Sequence, residues 1–216
     1  SYIRKYGKMI QQNTEKLNSL ILELLEFRRL ETGHKALSIQ RLQVSDKLRN
    51  IAESFCELAE NKNLNYQLDI EPDIEWNTDI SCFNKIANNL ISNAFKYTPE
   101  EGTINVSLKT ENQHLTLSIS NSGKGIAKEN LLKIFDRYKI LDSFEMNGKN
   151  SRNGLGLAIC KSMTTLLNGE INVSSIQNEV TTFIVTLPEL SPSQQEADMS
   201  RKEYETTPIN TNTESI

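Results

Sequence analysis

Asparagine is the residue type whose placement most strongly suggests chemistry. Asn88, Asn89 and Asn93 fall within six positions of a helical pattern, with Lys96 and Tyr97 about one turn further on. Asparagine is a poor helix former, and a merely solvated helix face favours Glu, Lys, Gln and Arg. An amide oxygen is a hard, neutral ligand, suited to a Mg2+ ion that keeps most of its waters and bridges phosphates. Lys96 is spaced to meet the same phosphates. Two glycine-bearing stretches extend the pattern. Asn121-Ser122-Gly123-Lys124-Gly125-Ile126 follows an alternating strand, and glycines at that spacing permit positive φ and a close approach of ligand to backbone. Gly154-Leu155-Gly156-Leu157-Ala158 runs from a polar stretch into a helix start, where free backbone N–H groups make an anion site. Taken singly, each has a plain alternative: a polar helix face, a tight turn, a loop-to-helix junction.

These residues need elements to hold them. The pattern over 79–97 predicts a long helix with Phe83, Ile86, Ala87, Leu90 and Ala94 on its core face and Asn89, Asn93 and Lys96 on a narrow arc beside it. Thr98-Pro99 ends it. Upstream, 37–44 reads as a strand, Ser45 as the cap of a helix running to about Ala59, and 64–70 as a strand closed by Pro72. Downstream, 103–110 and 115–121 form a hairpin, and a short helix lies near 128–135. A polar segment at 138–153 leads to a helix over 154–167, and strands at 169–175 and 180–187 end at Pro188. In front of all this, Ile3, Ile10, Leu17 and Leu24 recur every seven residues, as do Tyr6, Asn13, Leu20 and Phe27. That seam predicts a helix in a bundle or coiled coil, with Asn13 setting register and Gly33 in the left-handed cap position. The fold class is therefore α+β: a two-layer α/β sandwich, its mixed sheet covered by helices, preceded by a long heptad helix. From Ser191 the chain is polar, with five acidic against two basic residues, and reads as a disordered tail or linker.

Composition removes several function classes. The 216 residues carry 24 Lys and Arg against 28 Asp and Glu, a net charge of −4, which disfavours nucleic acid as a partner. No apolar run is long enough to span a bilayer, so no membrane contact is expected of this segment. Cys56, Cys82 and Cys160 lie far apart in helical patterns and read as small buried hydrophobes in a reducing compartment. His34 and His114 lack the neighbours that zinc or triad chemistry requires. No signal peptide opens the chain, and the absence of an initiator Met suggests a piece of something longer.

Together, and in this order, the motifs resemble those of sensor histidine kinases. Asn89-Leu-Ile-Ser-Asn93-Ala-Phe-Lys96-Tyr97 resembles their N box, and 121–126 their first glycine box. Phe135-Asp136-Arg137-Tyr138 resembles the F box, and 154–158 the second glycine box. Thr182-Phe183 falls where the last core strand of that family carries a Thr-Phe pair. The resemblance covers about residues 1–190 and implies a Bergerat-type ATP-binding fold, shared with gyrase, the heat-shock 90 chaperones and the mismatch-repair ATPases. It implies that 1–33 is the second helix of a dimerisation hairpin, that 34–190 is the ATP-binding catalytic domain, and that 191–216 is the tail. Asn93 is then the expected Mg2+ ligand, with Asn89 beside it and Lys96 near phosphate. Asn89 and Lys96 are the expected catalytic residues. Tyr97, Asn121, Gly123, Gly125 and Ile126 shape the adenine site. Arg137, Tyr138, Gly154, Leu155, Gly156, Leu157 and Thr182 complete the ATP contacts, and 138–153 forms the lid. The implied activity is transfer of the ATP γ-phosphoryl group to a histidine, then to an aspartate of a response-regulator receiver domain. The implied parent is a homodimeric, membrane-anchored receptor with this part in the cytoplasm. A scaffold that binds ATP and signals by shape alone is the second reading. A gyrase-like ATPase fits less well, because the position of its water-activating Glu holds Asn89.

Three positions depart from the family pattern. Asn121 stands where the adenine-reading residue is usually Asp, and an amide that can flip predicts relaxed discrimination between adenine and guanine. Arg152-Asn153 replaces the usual extra glycine of the second glycine box. Neither His34 nor His114 sits in the expected phosphoacceptor context, so the chain is expected to carry the kinase engine without its acceptor.

Overall fold

The computed structural model describes residues 2–33, 35–136 and 155–191. The expected lid, Arg137, Tyr138, Gly154, His34 and the polar tail lie outside the described residues. In chain order the elements are α1 (Tyr2–Glu31), β1 (Ile39–Gln43), α2 (Val44–Glu53), α3 (Cys56–Asn61), β2 (Asn65–Ile70), β3 (Glu75–Asp79) and α4 (Ile80–Tyr97). They continue with β4 (Thr103–Glu111), β5 (His114–Ser122), α5 (Lys128–Leu131), α6 (Gly156–Leu166), β6 (Glu170–Ile176) and β7 (Val180–Pro188).

Strict alternation of apolar and polar residues along β4, β5 and β7 gives the sheet one dry face. Five strands pair in the order β2-β4-β5-β7-β6, with β2 and β4 parallel and the other neighbours antiparallel. Ile104, Val106, Leu108, Leu115, Leu117, Ile119, Phe183, Val185 and Leu187 are buried on the inner face. Ser107, Ser118, Ser120 and Thr182 alternate to the outer face and are half-buried. Helix α4 crosses the inner face between α2 and α6, and its Phe83, Ile86, Ala87, Leu90, Ile91 and Ala94 are buried there. This is the two-layer α/β sandwich.

Both ends of α4 are tied down. At its start Asp79 accepts from the Cys82 N–H through Oδ1 at 2.9 Å and from the Ser38 N–H through Oδ2 at 2.8 Å. One buried carboxylate thus caps the helix and pins the strand leading into β1. At the other end Lys62 donates from Nζ to the carbonyl of Phe95 at 2.8 Å and to that of Thr98 at 3.5 Å. A cation on the terminal carbonyls also complements the helix dipole.

Three local expectations are corrected. Ser45 does not cap α2; it lies inside the helix, donating to the Glu71 carbonyl at 2.6 Å and accepting from the Ile74 N–H at 3.0 Å. The helix expected to reach Ala59 breaks at Ser54-Phe55. There the Tyr66 hydroxyl donates to the Ala52 carbonyl at 3.0 Å, and Phe55 stacks on Phe95 at 5.1 Å between ring centroids. Strand β3 was not expected: its five residues are mostly polar, and it exists because β1 pairs with it antiparallel and Trp76 is buried.

Helix α1 runs as the heptads predict and ends at Glu31, two residues before Gly33, which has φ of 66°. Tyr6, Ile10, Leu17 and Leu24 of the seam are exposed. Phe27 instead is buried, and Glu26 pairs with Lys85 of α4 at 2.9 Å. The last turns of α1 therefore dock on the sandwich. Replacing Asp79 with Ala leaves the buried Cys82 N–H and the half-buried Ser38 N–H without their acceptor, and is expected to destabilise the fold by about 1–3 kcal/mol in urea unfolding.

Candidate functional site

The C-terminal half of α4, the end of β5 and the start of β7 converge on one pocket that opens to solvent. Asn93 and Tyr97 line it from α4, Asn121, Lys124, Gly125 and Ile126 from β5 and the loop after it, and Ile134 from the turn after α5. Leu157 of α6 and Thr181 and Phe183 of β7 complete the wall. Most of this lining is apolar, with a few polar groups converging on it, as is usual of small-molecule pockets.

The loop after β5 is shaped by close packing. Gly123 has φ of 150°, and a Cβ there would stand 2.8 Å from the carbonyl oxygen of Tyr97. Gly125 has φ of 71°, and its Cβ would meet the Ile176 carbonyl at 2.8 Å. Both glycines thus let the loop press against the end of α4 and the β6–β7 turn. Ser175 holds the loop from below: its Oγ accepts from the Ile126 N–H at 2.9 Å, donates to the Val180 carbonyl at 3.1 Å, and lies 2.8 Å from Thr181 Oγ1.

The expected site residues separate into groups. Asn93, Tyr97, Asn121, Gly125, Ile126 and Leu157 meet at the pocket. Asn93 is half-buried, and its amide makes no hydrogen bond among the described residues. Gly123 lies behind the wall, against Tyr97. Lys96 stands with Nζ 4.9 Å from the centroid of the Tyr97 ring. Asn89 is turned toward the start of α6, donating to the Gly156 carbonyl at 3.4 Å, and a Cβ on Gly156 would meet the Asn89 amide. Leu155 is buried in the core.

Thr182 is a correction. It pairs with Ser120 and faces the outer side of the sheet, whereas its neighbour Thr181 pairs with Asn121 and lines the pocket. The alternation of Val185 and Leu187 carries the phase that identifies Thr181 and Phe183. Lys124 and Ile134 were also missed; the apolar Ile134 beside the F box was the available signal.

Residues 78–191 match the model of the histidine kinase-, DNA gyrase B- and HSP90-like ATPase family. The chain belongs to that family. It is 34% identical over 183 residues to histidine kinase P4 of Formosa agariphila, covering 83% of this chain and 13% of that protein. It is 31% identical over 192 residues to the sensor histidine kinase TmoS of Ectopseudomonas mendocina, covering 88% of this chain and 20% of the relative. The chain thus spans a small part of these relatives' length. In fold it is similar to full-length ShkA in complex with AMPPNP, with a TM-score of 0.76 at 23% identity over 88% of this chain and 40% of that one. It is also similar to ThkA in complex with the response regulator TrrA, with a TM-score of 0.67 at 22% identity over 87% and 52%.

Burial controls the thiols around α4. It pushes Cys160 up to about 12, opposed by a hydrogen bond from Asn89. It pushes Cys82 up to about 12 as well, with the Asp79 carboxylate adding to the effect. Cys56 is half-buried. At pH 8 a maleimide is expected to label Cys56 alone in the folded chain and all three cysteines in denaturant. Because the two buried thiols stay protonated in the fold while unfolded thiols ionise from about 9 upward, stability is full below that pH. It falls as pH rises toward about 12. Labelling of Cys160 in the native chain at the Cys56 rate would contradict this packing.

Proposed function

We propose that the chain is the ATP-binding part of a two-component sensor kinase, which binds Mg·ATP and moves the γ-phosphoryl group onto a histidine of a dimerisation hairpin. Asn93 is the observation that carries the reading: an amide without a hydrogen-bond partner among the described residues, on the wall of a mostly apolar pocket, one turn from Asn89, which abuts the start of α6. The base would lie among Tyr97, Ile126, Leu157 and Phe183. The triphosphate would pass Asn93 toward the first turn of α6, which has no side-chain cap among the described residues. Backbone N–H groups there favour an anion. Lys96, beside Tyr97, supplies a cation for the phosphates.

No cluster of three His, Cys, Asp or Glu residues that could hold a metal occurs among the described residues. A Mg2+ ion would therefore be held by the Asn93 amide together with phosphate oxygens and water, a ligand set it accepts readily. Bound there, it supplies neutralisation of phosphate charge. The protein's own work is positioning. Asn89 cannot take a proton from water as a Glu would, which favours transfer to a presented nucleophile over hydrolysis. That nucleophile comes from elsewhere. His114 begins β5, seven residues from Asn121, or about 24 Å at the usual strand rise of roughly 3.4 Å. The exposed residues of the α1 seam suit another helix of a dimerisation hairpin and a second protomer, since burying each apolar side chain there contributes about 1.5–3 kcal/mol. The onward acceptor would be an aspartate of a response-regulator receiver domain. The parent would be a membrane-anchored receptor with this part in the cytoplasm.

The test supplies a separate His-bearing dimerisation domain with γ-labelled ATP and Mg2+, and counts acid-labile, alkali-stable phosphate. The native chain is expected to transfer label and to leave its own histidines unlabelled. Asn93→Ala is expected to lower the rate by roughly 100-fold, the scale of losing one charge-stabilising group, while stability moves by less than about 1 kcal/mol. Binding of ATP without transfer to any supplied hairpin contradicts the kinase reading. Undiminished transfer by Asn93→Ala removes Asn93 from the metal site.

A further inference from the structure

The loop that lines the pocket takes its path from residues that lie outside it. Lys124, Gly125 and Ile126 present one side to the cavity. Their other side meets the turn between β6 and β7, where Ser175 lies 49 residues after Ile126 in the chain. Three hydrogen bonds join the two segments. The Gly123 N–H donates to the Glu179 carbonyl at 3.2 Å, and the Asn178 N–H donates to the Lys124 carbonyl at 2.9 Å. The Ile126 N–H donates to Ser175 Oγ at 2.9 Å. Gly125 lies between these bonds, where a Cβ would stand 2.8 Å from the Ile176 carbonyl oxygen and 3.0 Å from Ser175 Oγ. The loop is thus laid against the turn from Gly123 to Ile126, while residues 175–180 themselves do not line the pocket.

Ser175 and Asn178 make this docking possible, each in its own way. Ser175 is the joint between loop and strand. Besides holding Ile126, its Oγ donates to the Val180 carbonyl at 3.1 Å and lies 2.8 Å from Thr181 Oγ1. Ile126 and Thr181 both line the pocket, so one half-buried hydroxyl relates two of its walls. Asn178 acts through its backbone. It is exposed, and its φ of 61° lies in the left-handed region. Asn and Gly enter that region at little cost, whereas a β-branched residue there is an outlier. The Glu179 N–H closes the same turn on the Ile176 carbonyl at 3.1 Å. Residues 176–179 therefore present the Asn178 N–H and the Glu179 carbonyl to the loop together.

We propose that the β6–β7 turn is the template for the nucleotide pocket, and that Ser175 and Asn178 are positioning residues that set its affinity without touching the ligand. This rests on the nucleotide reading of the pocket and names what holds that site in shape. Without the Ser175 hydroxyl, the Ile126 N–H loses its acceptor and Thr181 loses its neighbour. A β-branched residue at 178 drives the turn out of the left-handed region and withdraws the N–H that meets Lys124. Either change frees the loop to drift and loosens the wall beside which the base would lie. Asn93 and the start of α6 take no part in these bonds. The effect therefore falls on binding and not on the transfer step, so the KM for ATP rises while kcat holds. Loss of stability alone does not produce that split.

Titration of Mg·ATP into the whole chain tests this, with urea unfolding of every variant and KM and kcat for transfer to a supplied His-bearing hairpin. Ser175→Ala and Asn178→Val are each expected to weaken ATP binding about tenfold, the scale of one hydrogen bond lost from a buried site. Both raise KM and leave kcat as it was. Asn178→Gly is expected to bind as the native chain does, because Gly keeps the backbone conformation. Ser45→Ala is the control for stability: that hydroxyl also accepts from one N–H and donates to one carbonyl, but between α2 and the segment before β3. It is expected to lose stability and keep its affinity. Native affinity in both Ser175→Ala and Asn178→Val overturns the template while leaving the nucleotide site standing. Weakening of Ser45→Ala to the same degree as Ser175→Ala overturns it too, since stability alone then accounts for the loss. Where Ser175→Ala fails to fold, the exposed position decides: weak binding by Asn178→Val beside native binding by Asn178→Gly supports the template, and equal affinity of the two overturns it. Failure of the native chain to bind Mg·ATP overturns the nucleotide reading and the template with it.

Discussion

Burial of one face of α4 against the sheet is the constraint on which the rest of the molecule depends. Phe83, Ile86, Leu90 and Ile91 are each almost wholly removed from solvent. At about 1.5–3 kcal/mol for each such side chain, the face as a whole contributes on the order of 10 kcal/mol. No single polar contact on this helix approaches that. The rotation of α4 about its axis is therefore set by its apolar residues, and Asn89 and Asn93 stand at the edge of the buried face as a consequence. Asp79 and Lys62 hold the two ends, so the helix is fixed along its axis as well. The polar edge is precise because the apolar face leaves it no choice.

The second determinant is the close approach of the loop after β5. Gly123 sits where a methyl group would press on the Tyr97 carbonyl, and Gly125 where one would press on the β6–β7 turn. These glycines bring the end of a central strand to the end of the helix and so close the pocket. The effect is packing within the protein before it is room for a ligand. Asn89 works in a related way. Its amide meets the first residue of α6, so the helix that carries the apolar face also positions the start of α6.

Much of this was legible in the sequence, for physical reasons that differ by element. The period of 3.6 in 79–97 and the period of 2 in the strands of the hairpin and of β7 identify the layers, because one-sided burial imposes those periods. The heptads of α1 were equally clear. Less visible were features decided by tertiary partners. The helix from Ser45 breaks because Tyr66, remote in sequence, takes the Ala52 carbonyl. Strand β3 forms because β1 is beside it, with little in its own five residues to announce it. The motif pair Thr182-Phe183 was read as a unit, whereas the pleat turns its two members to opposite faces and brings Thr181 to the pocket.

Hydrogen exchange with and without Mg·ATP tests most directly whether this arrangement of helix edge, loop and strand is a nucleotide site. Slowed exchange is expected in peptides covering 89–98, 119–128 and 155–160, with 39–43 and 75–79 of the separate two-stranded sheet unchanged. Protection absent from all three segments, or confined to the two-stranded sheet, would contradict the account.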